Sequence, residues 1–78
     1  MTDKRIFRER ELAALAKKFR VKSGKRKAAL GRELGVTRPT MQDAEERPEQ
    51  SLTKLRCRII AASSPFRVVG PFYRLEKK

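Results

Sequence analysis

The sequence predicts a mostly α domain: four short helices closed by a C-terminal β-hairpin or β-arm. Apolar residues recur at three- and four-residue spacing in four stretches between Leu12 and Ala62. Gly24, Gly35 and Pro48 punctuate the joints between those stretches. Beyond Pro65 the chain changes character, with aromatic and β-branched residues flanking Gly70-Pro71.

The first helix is expected over about 7–21. Leu12, Leu15, Ala16 and Phe19 form its stripe, Ile6 and Phe7 extend the stripe or pack its beginning, and Gly24 supplies a left-handed stop. The second is expected over about 26–34, with Ala28, Ala29, Leu30 and Leu34 inward and Gly35 as terminator. The third is expected over about 37–46. Thr37 has the chemistry of an N-cap, and Pro39 sits in the first turn, where a missing N–H costs little. Met41 and Ala44 point inward, and Pro48 biases Arg47 out of the helix. The fourth is expected over about 51–62 with Ser51 as N-cap, Leu52, Leu55, Ile59 and Ala62 buried, and Lys54, Arg56 and Arg58 outward. Two short strands are expected at about 66–69 and 72–75.

At 78 residues this is one small domain whose stability must come from apolar packing, with dimerisation as a second source. A single cysteine, Cys57, forbids an internal disulfide, and the absence of histidine leaves almost no ligands for zinc. Neither metal nor cofactor is expected. An enzyme is not expected either, because there is no histidine, no cysteine pair and no glycine-rich phosphate loop. Lysine and arginine number 21 against 9 acidic residues, a net charge of +12, which favours a polyanionic partner through counterion release. No apolar run approaches a membrane span, and the opening MTDKRIFRERE lacks the apolar core of a signal peptide. The expectation is a cytoplasmic, nucleoid-associated protein.

Residues 27–46, KAALGRELGVTRPTMQDAEE, read as two helices joined by a tight turn at Gly35. Leu30, Leu34, Val36, Met41 and Ala44 make an apolar frame, leaving Arg38, Thr40, Gln42 and Asp43 outward. That is the pattern of a helix-turn-helix whose second helix enters the major groove.

Residues 16–62 resemble the XRE-type helix-turn-helix domain of phage Cro and repressor proteins, the lambda-repressor-like class. The resemblance rests on FR–VKSG–KRKAALGRELGVTRPTMQDAEE and on the SLTKLRCRIIAA helix that follows. It implies sequence-specific recognition of double-stranded DNA, usually by a homodimer on a palindromic operator, and transcriptional control as a repressor. It also implies base contact by Arg38, Pro39, Thr40, Gln42 and Asp43, and phosphate contact by Arg26, Lys27, Thr37 and Arg47. Arg20 and Glu45 occupy positions that imply an ion pair bracing the first helix against the third. Four features depart from the family: Gly31 replaces an alanine at the helix crossing, Lys25 an apolar residue, and Arg47-Pro48 a glycine turn, while strands replace a fifth helix.

Single residues keep alternatives. Arg38 reads guanine or is a solvated charge. Gln42 reads adenine or solvates its helix, and Asp43 accepts from cytosine or pairs with Arg47 one turn on. Glu46 reads as surface charge, and Cys57 as a packed helical residue. Lys17, Lys18, Lys22, Lys25, Arg26 and Lys27 form a basic run that is a solvated face or a phosphate-binding one. Phe66, Val68, Phe72 and Tyr73 either cover the core or dimerise the chain. Two other functions fit the same residues: an antitoxin-type module with a toxin-like protein partner at its C-terminus, or a non-specific RNA or nucleic-acid binder.

Overall fold

The computed structural model describes residues 7–70 and 73–78. Among these the chain forms α1 (Glu9–Ser23), α2 (Lys27–Leu34), α3 (Arg38–Glu46), α4 (Thr53–Ser63), β1 (Phe66–Val69) and β2 (Arg74–Lys77). The strands pair antiparallel, with Phe66 opposite Lys77 and Val69 opposite Arg74. Helix α1 packs on α4 and α3, and β1 lies against α4. Between them sits one apolar cluster: Leu12, Leu15, Ala16, Leu30, Met41, Ala44, Leu55, Ile59, Ile60 and Leu75. No helix of the described residues is long and apolar enough to cross a membrane.

Helix ends follow local chemistry. α1 starts two residues later than the spacing predicts, because the Arg8 N–H donates to the Glu11 carboxylate (2.9 Å) and makes Arg8 the cap. Its far end runs to Ser23, where Gly24 adopts φ 80°. Gly35 (φ 74°) closes α2 in the same left-handed way, a conformation glycine takes without Cβ strain. Thr37 caps α3: its Oγ1 accepts from the Thr40 N–H (3.3 Å), and Pro39 lies within the first turn.

Two boundary expectations fail in the second half of the chain. Ser51 is not the cap of α4. Arg47 and Gln50 form a turn (Gln50 N–H to Arg47 O, 3.0 Å), Leu52 N–H donates to Gln50 O (2.9 Å), and Leu52 becomes the capping residue without a side-chain bond. The second strand is 74–77 rather than 72–75, with Val69 opposite Arg74 as the last pair of the ladder. Phe72 and Ile6 lie outside the described residues.

The largest correction concerns α4. Its buried residues are Leu55, Arg56, Ile59 and Ile60, so Arg56 faces inward, fully buried, while Ala62 is only half-buried. The Arg56 Nε donates to Ala44 O (2.9 Å) and its Nη2 to Arg47 O (2.7 Å), the carbonyls at the end of α3. Other helix ends are served in the same manner. Arg58 Nη2 donates to Leu34 O at the end of α2 (2.7 Å), and Lys25 Nζ (3.0 Å) and Lys78 Nζ donate to Ala62 O and Ala61 O at the end of α4. Cations suit these carbonyl-rich termini. Lys25, which replaces an apolar residue of the resembled family, is employed here.

Candidate nucleic-acid interface

The outward surface of α2 and α3 is positioned from below by the core and from the side by ion pairs. Leu30, Met41 and Ala44 are fully buried and fix the two helices face to face. Gly31 sits in the crossing: a Cβ there would lie 2.9 Å from the Val36 carbonyl oxygen and 3.2 Å from Met41 Cγ. The absence of a side chain is therefore what lets the turn at Gly35 fold back onto α2, where Val36 N–H donates to Gly31 O (2.9 Å).

Arg20 and Glu45 meet as a bidentate pair, Nε to Oε2 at 2.5 Å and Nη2 to Oε1 at 3.0 Å, both residues buried. The remaining nitrogen, Nη1, donates to Lys25 O (2.9 Å). Sequence reasoning placed both residues of this pair but treated Glu46 as plain surface charge. Glu46 is exposed, and it also forms a second α1–α3 link, to Lys17 at 2.5 Å; this hydrogen bond holds its carboxyl below the usual carboxylate range.

The expected DNA-facing residues divide by what they touch. Arg38 and Pro39 are exposed, and neither makes a side-chain bond to the described residues. Thr37 and Thr40 bond to each other through their hydroxyls (2.9 Å), so the cap engages both. Gln42 is exposed, and its amide oxygen accepts from Lys27 Nζ, joining the expected phosphate and base contacts into one unit. Asp43 pairs with Arg47 at 3.4 Å, the intramolecular alternative. Arg20, Arg26, Lys27, Ala28 and Arg38 line one shallow concavity where the N-terminal ends of α2 and α3 converge. Its rim carries the cationic side chains of Arg26, Lys27 and Arg38, with Arg20 already paired to Glu45, and the peptide N–H groups of a helix start add partial positive charge.

The residues expected at a dimer interface serve the core first. Phe66, Val68 and Tyr73 are half-buried against it, with Phe66 stacked at a tilt on Phe19 (centroids 5.9 Å apart). Among the described residues no group of three or more His, Cys, Asp or Glu could hold a metal ion. Comparison of the chain with family models, curated proteins and solved structures gives no match.

Proposed function

We propose that this chain is a sequence-specific double-stranded DNA-binding transcriptional regulator of the lambda-repressor-like helix-turn-helix class, acting as a repressor. The observation that carries the reading is the convergence of Arg26, Lys27 and Arg38 on one concave surface beside the exposed face of α3. In this reading α3 lies in the major groove. Arg38 donates to guanine and Gln42 meets the neighbouring base, while Arg26 and Lys27 grip phosphate at the start of α2. Pro39 offers only apolar contact. The Thr37 and Thr40 hydroxyls hold the helix start, and Asp43 is satisfied by Arg47. Two copies related by a two-fold axis would set their α3 helices about 34 Å apart on a palindromic operator.

Selection of binding sites from a random duplex pool, repeated across salt concentrations, tests this. A palindromic site should emerge. Its discrimination should fall with Arg38→Ala by about 1–3 kcal/mol, whereas Lys27→Ala should weaken all duplexes and lower the salt slope by about 0.9. A steep salt slope with no enriched sequence would overturn the reading in favour of charge acting alone, and selection on RNA would come next.

A further inference from the structure

Arg56 is fully buried, and among the described residues its hydrogen-bond acceptors are two backbone carbonyls, Ala44 O and Arg47 O. No carboxylate among the described residues pairs with it, and its Nη1 has no hydrogen-bond partner. A buried guanidinium left partly unsatisfied is an expensive way to fill a core, since an apolar side chain of similar length often serves stability as well or better. What such a side chain cannot supply is a directional hold on the end of a helix.

We propose that Arg56 is a positioning residue for DNA recognition: it clamps the C-terminal carbonyls of α3 and so sets the angle at which Arg38 and Gln42 are presented. This rests on the DNA-binding reading above. The lever is geometric. Ala44 and Arg38 are about 9 Å apart along the helix axis at 1.5 Å per residue. A pivot of roughly 6° at the clamped end therefore moves the Arg38 backbone by about 1 Å, enough to misalign a bidentate base contact. Arg20 restrains the same helix through Glu45 from the α1 side. The two guanidiniums hold the C-terminal half of α3 between α1 and α4, while the N-terminal half carries the exposed residues.

The test compares the parent chain with Arg56→Met and Arg56→Lys, all below their melting temperatures, on the selected duplex and on a scrambled one across salt. Arg56→Met relieves the unsatisfied guanidinium but takes the donor from two helix-end carbonyls, so it should lower the melting temperature modestly. It should leave the salt slope unchanged, since no phosphate cation is lost. It should lower the ratio of selected to scrambled affinity by about tenfold, the size of one lost base contact. Arg56→Lys, which retains a donor for the carbonyls, should recover part of that ratio. Should the methionine variant fail to fold, the lysine variant carries the test with an intermediate ratio. An unchanged ratio in the folded variants overturns the proposal and leaves Arg56 a packing residue. A slope reduced as in Lys27→Ala also overturns it, by showing phosphate contact. A parent chain that prefers no sequence brings down the DNA reading itself, a result distinct from a parent and variant that discriminate equally.

Discussion

The Arg20 guanidinium on α1 and the Glu45 carboxylate on α3 meet through two parallel hydrogen bonds, shielded from solvent. Planar bidentate geometry and burial make this a different object from the neighbouring Lys17–Glu46 pair, whose side chains are both exposed.

Removing one partner leaves the other charge buried and uncompensated, at a cost of about 3 kcal/mol or more. Glu45→Ala is therefore expected to lower the melting temperature by more than about 10 °C in a domain of this size. Glu46→Ala should leave it near that of the parent. Thermal unfolding followed by circular dichroism checks both, and equal shifts would dismiss the brace.

Gly31 sits inside a helix, where alanine is intrinsically better by about 1 kcal/mol. The space forbids the exchange, because the new Cβ would press on the Val36 carbonyl, a backbone atom that cannot swing away. Gly31→Ala should destabilise the fold by about 1 kcal/mol net of propensity. Urea denaturation reads the sign directly, and a gain in stability would show that the turn has room to shift.

Acid should weaken the fold through two carboxylates. Hydrogen bonds from Lys17 and from Arg67 hold the Glu46 and Glu76 carboxyls below their ordinary pKa of 4.5. The unfolded chain then binds more protons near that pH, so their contribution is complete above 4.5 and disappears as pH falls through the lower folded values. Replacing both with glutamine should remove that contribution at neutral pH, flattening the acid limb below pH 4.5 so that variant and parent converge in acid. An acid limb as steep as the parent's would assign the effect to other groups.

The C-terminal hairpin belongs to the core. Leu75 is 1% exposed and packs with the helices, so a chain truncated after Ser64 loses a core residue along with its strands. Leu75→Ala should cost about 3 kcal/mol, and the truncated chain should show molten or unfolded dichroism. A truncated chain that melts like the parent would release the hairpin for a purely external role.

Where backbone chemistry dictated an outcome, the sequence was readable. Gly24, Gly35 and the Thr37–Pro39 start each leave few conformational options, and the ends of α1, α2 and α3 fall within two residues of expectation. The neighbourhood of Arg56 was not readable in that way. A lone arginine among Lys54 and Arg58 looks like one more surface charge, and its burial depends on acceptors contributed by another helix. A signal did exist. Residue 56 lies four before Ile60, on the apolar side of α4, and α3 ends at Arg47-Pro48 without the glycine that often closes a helix. Its final carbonyls needed a donor from elsewhere. The Lys27–Gln42 bond had no comparable signal, since fifteen positions separate two residues that each read as solvent-facing.

Arg56, Arg58, Lys25 and Lys78 each spend donor groups on the carbonyl ends of helices. The basicity of this chain is consequently not one interchangeable reservoir. An engineer seeking a less adhesive variant could neutralise Lys18, Lys22 or Arg32 on the outer surface. Erasing the same number of charges at the helix ends would loosen the joints between elements long before it altered what the protein attracts. Acetylation of lysines would divide along the same line, with the marks on Lys25 and Lys78 acting as wedges and those on the open face acting only on the field.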